Sequence, residues 1–292
     1  MRAVIITNPY FDAPQYVRQY TRIAEELRAA GCDAVVMRAD EPDVSVDERT
    51  HVDVDADFCV YLDKDKYLSL LLEKRGMRLF NSHAAIQACD DKMSTHALLS
   101  GHGIPMPLTI PASLCYTPGA RATDAQLERV GRVLGFPVVV KSSYGSMGKG
   151  VYLAKDKAEL RALADELASV PHLFQRFVAE SAGRDLRVIV VGGKTVGGML
   201  RSSETDFRSN VGAGGHGTPM QPSEEARDVA ERAAAALGLD FCGVDLLFSH
   251  KGPMVCEVNS NAFFEEFERV TRVNVARAYA LHMLSVMRGK TR

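Results

Sequence analysis

The chain lacks an excess of charge of either sign: 35 Lys and Arg face 37 Asp and Glu over 292 residues, a net charge of −2. A nucleic-acid footprint would show as a basic stripe, so no nucleic-acid partner is expected. No apolar run approaches the roughly 20 residues that cross a bilayer, and no membrane partner is expected. The opening MRAVIITNPY turns polar too soon for a signal peptide. Cys32, Cys59, Cys89, Cys115, Cys242 and Cys256 show no CxxC spacing and mostly sit in apolar segments. They read as reduced, buried thiols of a cytoplasmic protein rather than disulfides or a zinc site. No repeat or low-complexity tract is present. What remains is ordinary globular composition, 46% hydrophobic and 25% charged, at a length that holds two or three compact lobes.

The first 80 residues alternate strand and helix. AVIIT (3–7) is a strand, and a helix follows from about Pro14 with Val17, Tyr20, Ala24 and Leu27 on one stripe, stopped by Gly31. AVVMR (34–38), FCVYL (58–62) and MRLF (77–80) are further strands, with an apolar helix near 65–75. This alternation implies a small parallel α/β lobe. Ser82 starts another helix, and 90–103 is a helix ended by glycines. The proline-punctuated stretch 104–119 is the best candidate for a linker. Asp124, Asp156 and Ser223 read as caps of later helices, and a last helix spans about 272–288.

The segments GVDLLF (243–248) and MVCEVN (254–259) alternate in polarity around a Ser-His-Lys-Gly-Pro turn, which predicts a β-hairpin. With the turn centred on Lys251, Asp245 lies opposite Glu257, and such neighbours have Cβ atoms roughly 5 Å apart on one face. Asn259, two residues on, shares that face. Val244, Leu246, Phe248, Met254, Cys256 and Val258 form the opposite, core face. Three oxygen donors placed like this suit a hard divalent cation, Mg²⁺ or Mn²⁺. A solvated acidic face would read the same way.

FPVVVK (136–141) is a strand ending on Lys141, SSYGSMGKG (142–150) a glycine-rich turn, and VYLA (151–154) a second strand. Such a loop can bend its amides over a phosphate chain. It is not a Walker loop, because neither Ser nor Thr follows Lys149 and a strand comes next. Glycine also gathers in loops that bind nothing. Downstream come LFQRFV (173–178), the loop AESAGRD (179–185), strands at 186–193 and 195–203, and a long loop, 204–222. That loop holds Arg208, Ser209 and Asn210, and Arg201 lies just before it. Arginine forks grip carboxylates or phosphates. The alternative is a solvated loop with Arg208 paired to Asp206. His216 could take a proton from an amine, or could simply be an exposed loop histidine. Phe263 and Phe264 read as packing at the entry to a helix.

The lysine strand with its glycine lid, GRDLR (183–187), DFRSN (206–210), GVDLL (243–247) and EVN (257–259) resemble, in order and spacing, the ATP-grasp ligases, and among them the RimK-type family. The resemblance runs from about residue 80 to the C-terminus. It implies an α/β chain with the ATP-grasp fold behind an N-terminal parallel lobe (1–90), a central lobe carrying the lid (91–172) and a C-terminal lobe carrying the metal (173–292). It implies that Lys92 and Lys141 neutralise ATP phosphates under the lid, with Ser146 and Gly148. Gln175, Arg176, Phe177 and Val178 would read the adenine edge, and Asp185 would be the nucleotide-site acid. Asp245, Glu257 and Asn259 would hold Mg²⁺ or Mn²⁺, as two ions. Arg201, Arg208, Ser209 and Asn210 would hold the acyl phosphate and substrate.

The implied reaction is ATP-dependent: a carboxylate becomes an acyl phosphate, and an amine displaces the phosphate. Both steps gather negative charge on oxygens, and no serine or cysteine is placed as an activated nucleophile. Glutamate or another amino acid is the implied donor. The acceptor is a small acid or a peptide or protein tail, and the family is often oligomeric. A ligase of another substrate class and a non-catalytic nucleotide-binding module are the alternatives. Past the metal ligands the chain departs from the family. Many members continue from Asn through Ala-Ser-Pro-Gly, whereas here Ser260, Asn261, Ala262, Phe263 and Phe264 follow, beside the donor pocket; LysX-like ligases also replace that turn.

Overall fold

The computed structural model describes residues 1–117, 119–146, 148–209 and 215–289. Strand β1 (Arg2–Thr7) leads through α1 (Pro14–Ala29) to β2 (Asp33–Arg38). A small hairpin of β3 (Val44–Val46) and β4 (Thr50–Val52) precedes β5 (Phe58–Tyr61), α2 (Lys66–Lys74) and β6 (Arg78–Phe80). These strands form a parallel sheet in the order β2-β1-β5-β6, the α/β lobe expected from the alternation. In α1 the buried stripe is Tyr16, Gln19, Ile23, Ala24 and Leu27, so Val17 and Tyr20 lie at its margin. The stripe is turned because Gln19, a buried polar residue, finds its partners in the C-terminal part of the chain: its amide donates to Asn261 Oδ1 at 2.8 Å and to the Ala262 carbonyl at 3.1 Å.

Helices α3 (His83–Asp90) and α4 (Lys92–Leu99) follow, capped by the Ser82 and Asp91 side chains. The proline-rich stretch is not all linker: it contributes β7 (Thr109–Pro111) to the next sheet. That sheet is completed, after α5 (Asp124–Leu134), by β8 (Val138–Ser142), β9 (Val151–Ala154), α6 (Lys157–Glu166) and β10 (His172–Arg176), in the antiparallel order β7-β10-β8-β9. Thr123 rather than Asp124 caps α5, its hydroxyl accepting from the Gln126 amide, and Asp124 occupies the first turn, where an acid suits the helix dipole. Asp156 caps α6 as expected.

The third sheet is antiparallel, β13-β12-β11-β14-β15. Its strands are β11 (Arg184–Val191), β12 (Lys194–Ser202), β13 (His216–Pro219), β14 (Phe241–Leu247) and β15 (Met254–Asn259), with α7 (Glu224–Ala236) between β13 and β14. Ser223 caps α7. The long loop is thus shorter than the sequence suggests, because 216–219 pairs with β12. Helix α9 (Val275–Gly289) is the last helix expected at about 272–288, and a short α8 (Glu265–Thr271) precedes it. Arg272, in the left-handed region with φ 62°, ends α8. No described helix is long and apolar enough to cross a membrane.

One hydrophobic core joins the first and third sheets. It contains Ile5, Ile23, Phe58 and Phe80 from the N-terminal side and Phe241, Phe264, Phe267 and Tyr279 from the C-terminal side. Tyr279 stacks on Phe241 with ring centroids 4.8 Å apart. Each such aromatic contributes roughly 2–3 kcal/mol on burial, so the two sheets behave as one support. Asn81, 2% exposed, is the polar lock of that interface. Its amide donates to the Phe241 and Ser260 carbonyls, both at 2.8 Å, and its oxygen accepts from the Asp240 and Phe241 amides at 2.7 and 3.0 Å.

A second lock ties α4 to the central sheet. The Gln175 amide donates to His96 Nε2 at 3.0 Å and to Thr109 Oγ1 at 2.9 Å. Burial, helped by the nearby Lys141 charge, pushes the His96 pKa down to about 3. The imidazole is therefore neutral throughout the physiological range.

Two expectations follow from these locks. Asn81→Ala, which orphans several buried backbone groups, is expected to cost about 3 kcal/mol in denaturant unfolding. For His96, the unfolded side chain takes up a proton below pH ~6.5 while the native one does not, so native stability falls as pH drops from 6.5 towards 3. Between pH 7.5 and pH 5 the wild type should lose about 2 kcal/mol that His96→Gln does not lose, as read by paired unfolding curves at the two pH values.

Candidate active site

A cleft opens between the central and C-terminal sheets. Its floor comes from the register of the C-terminal sheet. On β11, Asp185 and Arg187 alternate onto one face; Asp185 lies across from Arg201 of β12, and Arg187 across from Asp245 of β14. Asp245 in turn lies across from Glu257 of β15, and Gly243 across from Asn259, as the hairpin pattern implied. The sheet therefore brings Asp185, Arg187, Arg201, Asp245, Glu257 and Asn259 to one surface. Asp185 belongs to a strand, not to the loop in which the sequence seemed to place it.

Four of these side chains form a buried ionic network. Arg201 grips Asp185 through Nε (2.7 Å) and Nη2 (2.5 Å), and its Nη2 also reaches Asp245 Oδ2 at 2.8 Å. Arg187 holds Asp245 from the other side, through Nε on Oδ1 and through Nη2 on Oδ2 at 2.8 Å. Burial by itself would raise the Asp245 carboxyl, but Arg187 and Arg201 outweigh it and keep it below the usual carboxylate range. Arg201 is shifted upwards despite its burial, because Asp245 and Asp185 flank it. The sequence reading missed Arg187. Its signal was present in the two-residue step from Asp185, but only the pairing of β11 with β14 reveals the partner. Gly243 makes room for it: a Cβ there would meet the Ala262 Cβ at 2.7 Å and Arg187 Cδ at 3.0 Å.

The hairpin departs from the expected register at one place. A bulge between Asp245 and Leu246 sets Leu246 against Val255 and Leu247 against Met254. An extra residue in one strand reverses the faces beyond it. Val255 thus enters the core with Val244, Leu246 and Val258, and Cys256, expected in the core, lines the cleft instead. The six cysteines are all free.

Lysines form the opposite wall. Lys141, 6% exposed at the end of β8, meets no described carboxylate within ion-pair distance; its Nζ lies 3.4 Å from Cys256 Sγ. Lys92, 7% exposed, donates to the Gly145 carbonyl of the lid at 2.8 Å and lies 3.7 Å from Glu257 Oε1. Burial drives the Lys92 pKa down, with Lys141 adding to the shift and Glu257 opposing it. The lid between β8 and β9 closes tightly at Gly150, φ 70°, where a Cβ would strike Ser142 Oγ at 2.7 Å. Arg208 is paired with Asp206, as the bland alternative held, but it also donates to the Gly148 carbonyl at 2.8 Å and so ties the second loop to the lid.

Ser146, Gly148, Gln175, Arg176, Phe177, Val178, Asp185, Arg208 and Ser209 all line the cleft. Asn210 lies outside the described residues. Val139, Leu247 and Phe207 add apolar walls that the sequence did not single out, since such residues look like core. Phe177 and Phe207 meet edge-on with centroids 6.3 Å apart. His216 is not among the lining residues: it sits exposed on β13, within electrostatic reach of Glu266 of α8. Phe264 packs in the core against Phe241 and Phe263 against Tyr16, in keeping with a packing role.

The donor set suits a hard cation. Among the described residues no three His, Cys, Asp or Glu side chains cluster as metal ligands, and Asn259 is the side-chain oxygen donor that the sheet register places beside Asp245 and Glu257. The Asn259 amide nitrogen is buried without a partner, and turning the amide over puts its oxygen in that place. Asp245, with three N–H donors on it, keeps acceptor capacity, and Glu257 is nearly unengaged. Arg187→Met is expected to destabilise the fold by about 3 kcal/mol, because part of the Asp245 charge is left uncompensated. Urea unfolding at pH 7 checks this, and Asp245→Asn in the same background should recover part of the loss.

Comparison with known proteins agrees with this architecture. The RimK-like ATP-grasp domain matches residues 89–283. The chain is 40% identical to the beta-citrylglutamate synthase B of Homo sapiens over 231 residues, which is 78% of this chain and 58% of that protein. It is 38% identical to the human N-acetylaspartylglutamate synthase A over the same shares. A probable alpha-L-glutamate ligase of Maridesulfovibrio salexigens is 37% identical over 207 residues, 70% of this chain and 66% of that one. The match thus spans little more than half the length of the two human relatives. Among solved structures, a RimK-domain ATP-grasp protein from Sphaerobacter thermophilus superposes with a TM-score of 0.72 at 20% identity, covering 97% of this chain and all of the other. A D-cycloserine synthetase does so with 0.73 at 19% identity, covering 98% of this chain and 100% of its own. The family uses ATP and Mg²⁺ for ADP-forming carbon–nitrogen ligation. With two buried lysines facing a carboxylate floor beneath a glycine lid, the chain belongs to the RimK-like ATP-grasp family.

Proposed function

We propose that the protein is an ATP- and Mg²⁺-dependent carboxylate–amine ligase that joins glutamate, or a related amino acid, to a carboxylate acceptor. The observation that carries this reading is the pair of lysines. Lys141 is buried with no described carboxylate in reach, and Lys92 is buried with Glu257 at 3.7 Å. Buried ammonium groups are costly unless something negative meets them, and a polyphosphate supplies that charge. The Phe177–Val178 segment, Val139 and Leu247 offer the flat apolar slot that a purine needs beside it. The relatives named for citrylglutamate, N-acetylaspartylglutamate and glutamate ligation support an acidic donor and acceptor.

In this reading an acceptor carboxylate oxygen attacks the γ-phosphorus, the bond to the β-phosphate oxygen breaks, and ADP leaves. The amine nitrogen then attacks the acyl carbon, inorganic phosphate departs, and the ammonium proton is lost to solvent. Lys141 and Lys92 sit where the phosphate charge accumulates, and Lys92 also anchors the lid through Gly145. Asp245, Glu257 and Asn259 would hold Mg²⁺, as two ions, which supply charge neutralisation and in-line orientation of the phosphates. Arg187 and Arg201 fix the Asp245 carboxylate in place. The Arg208 link to Gly148 keeps the lid over the phosphates and excludes water from the acyl phosphate. The acceptor is a small di- or tricarboxylic acid or an acidic peptide end.

The test is incubation with Mg-ATP, glutamate and a panel of acidic acceptors, following nucleotide products and product mass. ADP with a condensed product of the expected mass supports the reading; AMP with pyrophosphate would sink it. Glu257→Gln is expected to lower kcat/KM by about 10²–10³-fold while leaving the unfolding midpoint unchanged, since Glu257 makes little contact with the fold. Wild-type rates in the variant would remove Glu257 from the site.

A further inference from the structure

The apolar slot of the cleft has one polar corner, at Gln175. Strand β10 alternates across the central sheet. Phe174 enters the core beneath α5 and α6, and Arg176, on the same face, donates to the Val133 carbonyl of α5. Gln175 therefore lies on the opposite face, the one that lines the cleft. Its cross-strand neighbours are Thr109 of β7 and Val139 of β8. Val139 is a wall of the slot, and such neighbours have Cβ atoms roughly 5 Å apart. A base resting on Val139 is thus within reach of the Gln175 side chain.

The hydrogen bonds around Gln175 allow one orientation of its amide. The Thr109 hydroxyl gives its hydrogen to the Pro107 carbonyl at 2.9 Å, so towards Gln175, also at 2.9 Å, it can only accept. The amide nitrogen must therefore face Thr109. The same nitrogen lies 3.0 Å from His96 Nε2, which makes Nε2 an acceptor and puts the imidazole hydrogen on Nδ1. Nδ1 then donates to Met106 Sδ at 3.2 Å. Turning the amide over would set its oxygen against lone pairs of both Thr109 and His96. His96 and Gln175 are buried, so such a mismatch is costly.

Both amide hydrogens are thus taken up on the side of α4 and β7. The planar amide carries its oxygen on the other arm, towards the Val139 and Lys141 side of the slot. That oxygen accepts from no described protein group. The corner offers a bound base a lone pair and no hydrogen. A 6-amino purine can donate to it. A 6-oxo purine brings a second acceptor to the same place, with no water between them.

We infer that His96 is a positioning residue for nucleotide selection: with Thr109 it fixes the Gln175 amide so that its oxygen accepts from the 6-amino group of adenine and opposes the 6-oxo group of an inosine- or guanosine-type base. This rests on the ATP-dependent reading above and assigns the base-reading end of that site. His96 does not line the cleft and acts only through Gln175.

The experiment measures Kd by calorimetry for Mg-ATP, Mg-ITP and the Mg complex of purine riboside 5′-triphosphate, which carries only hydrogen at position 6. The proteins are wild type, His96→Leu, His96→Gln and Gln175→Leu. Wild type is expected to bind ATP about 10²-fold more tightly than ITP. His96→Leu lets the amide turn over and should cut that ratio about tenfold, weakening ATP and tightening ITP. His96→Gln keeps an acceptor at that place and should restore the ratio. Gln175→Leu should bind ATP and purine riboside triphosphate alike. Equal weakening of all three nucleotides in His96→Leu would make His96 merely structural and overturns the inference. A wild-type preference for ATP over ITP that survives Gln175→Leu also overturns it, as does wild-type binding of ATP and ITP within twofold. Should His96→Leu not fold, Thr109→Val, which removes the other acceptor, carries the same expectation. Folded wild type that binds no Mg-ATP overturns the ATP reading and the inference with it.

Discussion

The side-by-side placement of Asp245 and Glu257 on adjacent strands is the constraint around which this site is built. Like charges in cross-strand register repel, and burial of Asp245 makes the problem worse. The chain resolves it with Arg187 and Arg201, drawn from the two strands on the other side of β14, and Asp185 then balances Arg201. The result is an alternation of two acids and two bases across three strands. Its net contribution to stability is small or negative against a hydrophobic packing of the same volume. What it supplies is position. Asp245 is held by both oxygens, while Glu257 at the sheet edge stays nearly free, so one ligand is rigid and its neighbour can adjust as a cation and its phosphates enter.

Arginine and lysine are divided along chemical lines. Arg187, Arg201 and Arg208 are held by carboxylates and act as struts, which suits a planar fork with several fixed donors. Of the two deep lysines, Lys141 meets no described carboxylate and Lys92 meets only Glu257 at 3.7 Å, so both stay point charges on flexible stems, which in the proposed reaction can follow a phosphoryl group. The lid is tied to this arrangement at two points, Lys92 to Gly145 and Arg208 to Gly148. Both ties use backbone carbonyls, which phosphate oxygens can displace without loss of a side-chain partner. In the proposed reaction, lid position and nucleotide binding would be coupled through the same cations.

Much of this was legible in the sequence because it follows from strand periodicity. Alternation placed Asp245, Glu257 and Asn259 on one face, and the turn residues gave their register. Periodicity also explains the failures. A bulge is invisible to an alternating pattern, so Cys256 was assigned to the core and Val255 was not. Arg187 lay in a readable strand, but its partner is set by a pairing between segments almost sixty residues apart. The apolar walls Val139, Leu247 and Phe207 carry no signal, because a purine slot and a hydrophobic core use the same residue types. The stripe of α1 was misjudged at Gln19 for a related reason: its burial depends on Asn261 and Ala262, far along the chain.

The same reasoning accounts for why the phosphate end of the site is easier to read than the substrate end. Phosphate transfer imposes fixed demands, namely cations, a hard-metal floor and a pliant lid, and each demand maps to residue types at short spacings. The turn that would border the substrate end packs against the tips of β5 and β6 and against α1, joined by Asn81, Gln19 and Asn261. None of those contacts is local in sequence. Because Asn81 and Gln19 are buried in the shared core of the first and third sheets, the turn beyond Asn259 cannot shift without disturbing the metal floor beside it. Changes of substrate in such a scaffold are therefore confined to side chains that project from fixed backbone into the site.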